Sequence, residues 1–299
     1  MSRFILVLTL LLASAGVLCA AELPPLSSEL IAKRFSVAFI ADLIRYLLFA
    51  GGAFMLFYVW RIRRLRKLKI QPAYPAGKDL RREILYSLSS IAIFACVGVL
   101  MLVLYRLGWT RIYGNFAERG WGYFIFSVIA LIFAHDTWFY WTHRFMHLKS
   151  IFPLVHRVHH LSRNPTPWAA FAFHPIEAVI EAGIFPLIAL MLPMHPLAVL
   201  IWLLYMTAMN VMGHCGFEIL PSGFTRHALF RWMNTATHHD MHHRFVRCNY
   251  GLYYNIWDRI MGTNHQHYDE EFEKVKTRAA NQTEGSEPTP NALSDPLNP

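Results

Sequence analysis

The chain has 299 residues, of which 55% are hydrophobic and 16% charged, with a mean hydropathy of +0.30. That balance excludes an ordinary soluble domain and fits an integral membrane protein. The net charge of +9 does not point to nucleic acid, because the basic residues flank apolar stretches and form no basic module; such residues mark the cytoplasmic side of a membrane and its anionic lipids.

Residues 4–21 are an apolar run behind Arg3 that ends in small residues, the pattern of a signal peptide cleaved near Ala20 or Ala21. A retained first span is the rival reading, but the run is short beside the roughly 20 apolar residues that a span needs. Five candidate spans follow, at 36–60, 84–105, 123–141, 176–193 and 197–213. The first is interrupted by Asp42 and Arg45 and ends in the basic run RIRRLRKLKI (61–70), which reads as a cytoplasmic stop. The joint PMHP between the last two admits only a hairpin. With the basic run inside, alternation of the spans turns every histidine group toward the cytoplasm and leaves the segment before the first span outside, as a cleaved leader requires.

From 269 onward the chain is polar and then Pro-rich, a composition expected to be disordered. The glycosylation sequon Asn281-Gln282-Thr283 falls on the cytoplasmic side in this topology and would go unused. Four cysteines (Cys19, Cys96, Cys215, Cys248) contain no CxxC and suggest neither a disulfide framework nor a cysteine zinc site. The expected fold is an all-α integral membrane protein with four to five transmembrane helices and a cytoplasmic helical cap carrying a histidine-rich two-metal site. The expected divisions are 1–21, 22–119, 120–268 and 269–299.

Histidines gather in three tight groups: HRFMH (143–147), HRVHH (156–160) and HHDMHH (238–243). Residues three and four apart share a helix face, so His143 with His147, His156 with His159 and His160, and His239 with His242 and His243 can each aim imidazoles at one point. His238 stands one step aside. Neutral imidazole is a metal ligand, and these eight exceed what one tetrahedral zinc takes, which suits two metals. His195, His227, His265 and His267 read as interfacial hydrogen-bonders instead.

Other candidates surround the groups. His214 can complete a metal shell, and Asn210, four residues before it, can bind a metal-bound water or make a helix–helix hydrogen bond. His174 precedes Pro175, with Glu177 and Glu181 on the same face. Membrane-embedded carboxylates are functional by default; Glu177 can orient a ligand imidazole, and Glu181 can do so or line a polar cavity. Asp136 lies seven residues before His143 and is a candidate to support the ligands. His135 points elsewhere. Imidazole suits Zn, Cu, Fe and Ni alike, so the residues themselves stop at a histidine-rich site for two metals.

The array HDTWFYWTHRFMH, HRVHH, FHPIE and HHDMHHRFVRCNYGLYYNIWDRIMGT strongly resembles the fatty acid hydroxylase/sterol desaturase superfamily, over about residues 120–265. The resemblance implies a catalytic domain at 120–268 holding two Fe ions, with O2 as co-substrate, that hydroxylates or desaturates a sterol or fatty acyl C–H bond. By motif match the ligands are His143, His147, His156, His159, His160, His214, His239, His242 and His243. In parts of the family a histidine stands where this chain has Asn210, so one metal is expected to use water there, with His238 a possible substitute; His174 matches the family's His-Pro motif.

No G-x-G-x-x-G fingerprint is present, so electrons are expected from a cytochrome b5-type or ferredoxin-type carrier with its reductase. The basic residues Arg63, Arg64 and Arg66 are candidates to dock it. The leader favours a bacterial inner membrane, with the endoplasmic reticulum as the other option. The rival functions are an inactive metal-binding scaffold or lipid sensor, and a metal transporter, which would need ligands spread along several spans.

Overall fold

The structure, a computed structural model, describes residues 25–60 and 65–284. The expected leader and residues 61–64 of the basic run, including Arg63 and Arg64, lie outside the described residues. Three long helices come first: α1 Ser28–Trp60, α2 Gly77–Arg106 and α3 Gly120–Met146. Two short ones follow, α4 Pro175–Ala182 and α5 Ile184–Met191, and then α6 Pro196–Gly213. Mean hydropathies of 1.7, 2.5, 1.4 and 1.6 make α1, α2, α3 and α6 apolar enough to cross a membrane. Even the 18 residues of α6 reach about 27 Å, close to the hydrocarbon thickness. Among the described residues no β-strand forms.

The stretch 176–193, expected as one span, is two eight-residue helices broken at Gly183. Pro186 has no N–H to return to Ala182, so the helix cannot continue through this point. Together α4 and α5 still reach the far end of the bundle. There Arg111 N donates to Ala189 O at 2.8 Å and Tyr113 N to Met194 O at 3.2 Å. The count of crossings therefore keeps all histidine groups at one end.

Burial follows the solvent that each face meets. Leu48, Leu100, Trp121, Ile125, Phe126, Ile129 and Met191 are exposed on the outside of the helices, as side chains facing lipid are. Inside, Met101, Leu131, Ile188, Val199 and Trp202 pack at the end away from the histidines. Tyr46, Ile91, Phe171 and Val211 pack nearer to them. The Tyr46 and Ser87 hydroxyls both donate to Trp168 O, at 2.8 and 2.9 Å. These bonds tie α1 and α2 to the loop that precedes α4.

Beyond α6 the chain forms a cap from α7 Ala236–Phe245, α8 Ile256–Ile260 and α9 Tyr268–Glu284. Thr235 starts α7, its hydroxyl accepting from His238 N at 3.2 Å. The tail expected to be disordered from 269 is helical as far as Glu284. Tyr268, Phe272, Val275 and Ala279 recur every three or four residues and are buried, a helical stripe that the polar average of the segment conceals.

Candidate metal centre

The helices and one loop bring the nine expected imidazoles together in two groups. One holds His143, His147, His156, His160 and His242; the other holds His159, His214, His239 and His243, with the ligand atoms of each group within 4.8 Å of one another. His143 and His147 close the last turn of α3, and His214 follows the last turn of α6. His156, His159 and His160 do not share one helix, as the spacing suggested. They sit on a single turn, Phe152–Val155, followed by the tight turn His159–Leu161.

The sequence groups and the spatial groups differ. On α7, His239 and His243 lie about 40° apart at 100° per residue and serve one group, while His242 lies about 100° from His243 and serves the other. In the loop, His156 and His160 go one way and His159 the other. Two of the three sequence motifs are thus shared between both spatial groups.

Backbone and carboxylate partners orient the rings. Nδ1–H of His143 donates to Tyr250 O (2.8 Å), of His156 to Glu177 Oε1 (2.7 Å), of His214 to Asn210 O (2.7 Å) and of His242 to Cys248 O (2.6 Å). His159 Nδ1 faces Ala172 O at 3.4 Å. With the proton on Nδ1, the lone pair on Nε2 points inward. The inward nitrogens stand close: His143 to His156 at 2.9 Å, His242 to His160 at 3.0 Å, His239 to His214 at 3.0 Å and His159 to His214 at 3.3 Å. Where both partners carry the proton on Nδ1, as His143 and His156 do, neither can donate across the gap. Facing lone pairs at that distance repel unless a cation lies between them, so the donor set fits a metal ion in each group. It contains imidazole alone, which favours Zn, Cu, Fe or Ni over Mg or Ca.

Burial keeps these rings neutral. It pushes the His160 imidazole down to about 3, with the neighbouring His143 adding to the effect, and the His214 imidazole down to about 4. His156, His159, His239, His242 and His243 are also held well below the usual value, first by burial and then by one another. In the unfolded chain the same groups bind protons below about 6.5. Metal-free protein is therefore expected to hold its full stability above pH 6.5 and lose it as the pH falls toward 4, by about 1.4 kcal/mol per unit for each such group. Thermal unfolding of the metal-free chain across that window checks this; a flat melting temperature would contradict it.

The remaining candidates stand around the groups. Glu177 touches a ligand, and its other oxygen accepts from His174 N at 3.4 Å. Glu177→Gln is expected to weaken metal retention about ten- to hundredfold, measured by competition with a chelator. His174 caps α4, its Nδ1 accepting from Ile176 N. His238 lies in neither group; it is 3.8 Å from Asp258 and packs on Tyr268. The Asn210 side-chain amide donates to Ala170 O at 2.6 Å, a helix–loop tie, while the backbone carbonyl of Asn210 orients His214. Asp136 accepts from Tyr253 N at 2.7 Å and so anchors the loop that carries Tyr250. Glu181 lines a cavity, and its Oε1 makes no hydrogen bond among the described residues. His195 and His227 accept from backbone N–H groups nearby, and His267 pairs with Glu270.

Sequence reasoning missed Asp258. Buried in α8, its carboxylate accepts from Tyr250 N (2.8 Å), Gly251 N (2.7 Å) and the Thr263 hydroxyl (2.7 Å). It thereby sets the loop whose Tyr250 and Cys248 carbonyls hold His143 and His242. A Cβ at Gly251 would lie 2.3 Å from Tyr254 O, so the loop needs glycine there. The carbonyls of Cys248, Tyr250 and Ala172 carry no sequence signal, since every residue has one.

A cavity of about 90 Å3 opens among α1, α2, α3, α4, α5 and α6. Its walls include Phe139 and Phe173, whose rings lie 4.9 Å from His143 and 5.3 Å from His159. An apolar space thus adjoins both imidazole groups.

Comparison with known proteins points the same way. Residues 128–263 match the family model described as fatty acid hydroxylase. The chain is 26% identical to lathosterol oxidase of Mus musculus over 237 residues, covering 79% of this chain and 76% of that protein. It is 30% identical to a Delta(7)-sterol 5(6)-desaturase of Gibberella zeae over 199 residues, covering 67% and 60%. To the Delta(7)-sterol-C5(6)-desaturase of Nicotiana tabacum it is 26% identical, covering 77% and 82%. No solved structure matches.

Proposed function

The chain belongs to the fatty acid hydroxylase/sterol desaturase superfamily, and from that membership we propose a membrane di-iron oxidoreductase that uses O2 and external electrons to hydroxylate or desaturate a sterol or fatty acyl C–H bond. It is a multi-pass membrane protein, and its relatives are lipid desaturases and oxidases by name. The observation that carries the finer reading is the pair of all-histidine groups, with Nε2 turned inward, beside an apolar cavity. A group of five and a group of four imidazoles would hold the two ions. Bound there, iron would supply the redox chemistry with O2 that an unactivated C–H bond demands.

The protein's own part is positional. Tyr250 O, Cys248 O, Asn210 O and Glu177 fix the ring tautomers. Phe139 and Phe173 separate the imidazoles from the cavity and exclude water from the reacting carbon. The ligands act as donors to metal and not as acid–base groups. Substrate enters from the bilayer.

Electrons come from a separate cytochrome b5-type or ferredoxin-type donor that docks at the histidine end, where Arg66 stands beside the bundle. That end faces the cytoplasm, an orientation supported by the basic run at 61–70. The bacterial inner membrane expected from the leader gains no support from the relatives named above, all of which are eukaryotic.

Metal analysis and Mössbauer spectroscopy on the purified protein, wild type beside His159→Ala, test the reading together with O2-dependent turnover of lathosterol. About two irons per chain in a coupled pair in the wild type, and about one iron without the coupling in the variant, are the expected result. Zinc alone after anaerobic, iron-replete preparation, or no metal, would favour the scaffold or the metal-handling reading.

A further inference from the structure

The cavity beside the histidines has apolar walls, among them Phe94, Phe185 and Leu203, yet four ionisable residues line it: Asp42, Arg45, His135 and Glu181. Asp42 and Arg45 stand one turn apart on α1 and pair at 3.0 Å through Arg45 Nη2. Arg45 is 2% exposed, and its Nε and Nη1 have no hydrogen-bond partner among the described residues. Glu181 is 8% exposed, and its Oε1 likewise has none. His135 is already engaged, its Nδ1 sharing a hydrogen bond with the Tyr253 hydroxyl at 2.8 Å.

Buried charges persist where something partners them. Arg45 offers only donors, and Glu181 offers an acceptor. A hydroxyl group both accepts and donates, so one hydroxyl can satisfy both. A phosphate or carboxylate headgroup would meet the carboxylates of Asp42 and Glu181. A plain hydrocarbon would leave the polar atoms bare.

We propose that Arg45, held by Asp42, and Glu181 form a polar anchor for the hydroxyl of a neutral lipid whose apolar body points toward the histidines. The small cavity takes the hydroxyl end and what adjoins it, not the whole molecule. The anchor stands apart from the metal groups. His135, on the same wall, is eight residues before His143 in α3, about 12 Å deeper in the membrane. The substrate class is therefore a lipid alcohol, sterols included, and not a phospholipid or a free fatty acid. This assignment rests on the proposed function only in giving the cavity to the substrate.

The experiment is equilibrium binding of radiolabelled lathosterol to the full-length protein in detergent, competed by unlabelled lathosterol or by its 3-deoxy analogue. The wild type is expected to prefer the alcohol by about tenfold or more, as a site built to bond a hydroxyl does. Arg45→Met and Glu181→Met, which remove the donors and the acceptor respectively, should each cut that preference to about threefold or less while iron content stays at the wild-type level. Should Arg45→Met fail to fold, Arg45→Lys keeps the charge but loses the planar fork and should also lower the preference. Equal affinity for the two sterols in the wild type, no binding of either, or an unchanged preference in folded variants would overturn the anchor. Iron measured on the same samples separates the two readings. Hydroxyl preference without iron would sink the oxidoreductase and leave the anchor; iron without preference would do the reverse.

Discussion

His239→Ala is expected to leave about one iron per chain and to lower lipid turnover by at least about a hundredfold, the upper range seen when only a ligand's support is lost. His147→Ala, an equally drastic change on paper, is expected to keep both ions. The difference lies in what each loss leaves behind. Without His239, its group keeps three imidazoles, His159, His214 and His243. His239 is also closely packed there, its Nε2 standing 3.0 Å from His214 and 3.2 Å from His243. Without His147 the other group still has four, His143, His156, His160 and His242. His147 is moreover the one member of either group that is not fully buried, so water can take its place. Iron quantification and Mössbauer spectra of the two variants decide the matter. Equal losses would mean that the two groups do not differ in how many ligands they can spare.

Asp258→Ala should be the most damaging change that touches no ligand. It removes the acceptor of two buried donors, Tyr250 N and Gly251 N, and of the half-buried Thr263 hydroxyl, which keeps its contact with Tyr140 Oη. Each orphaned donor costs about 1–3 kcal/mol. Even with partial relaxation the loss should reach about 3 kcal/mol, and the melting temperature should fall by roughly 5–10 °C. Metal should be lost with it, since Tyr250 O and Cys248 O would no longer hold His143 and His242 in place. Asp258→Asn keeps one acceptor oxygen and should fall between the wild type and the alanine variant. Thermal unfolding and iron content, measured side by side, check the prediction. An alanine variant as stable and as metal-rich as the wild type would show that the loop is set by something else.

The ligands were legible in the sequence because imidazole chemistry belongs to the side chain, and a spacing of three or four residues states which side chains can meet. Their division into two groups was not, because it depends on where the chain turns. The turn after Val155 sends His159 away from His156, a path that no local spacing encodes. Supports made by backbone carbonyls are silent in sequence for the same reason. Asp258 looked like any acidic residue until the loop folded back onto it. Hydropathy averages found the long helices but hid local detail. They passed over Pro186, which breaks the fourth expected span, and the buried stripe at Tyr268, Phe272 and Val275 that makes the start of the tail a helix.

The sharing of two motifs between both groups bears on how the centre fills. His159 and His160 are neighbours in the chain, as are His242 and His243, and each pair reaches into both shells. An ion in one shell fixes the backbone that presents ligands to the other, a gain in ordering set against the repulsion between the two cations. Filling should then be cooperative, with the first ion preparing the place of the second. At half-saturating iron the chains should sort into empty and doubly loaded populations, with few carrying a single ion, a distribution that native mass spectrometry resolves.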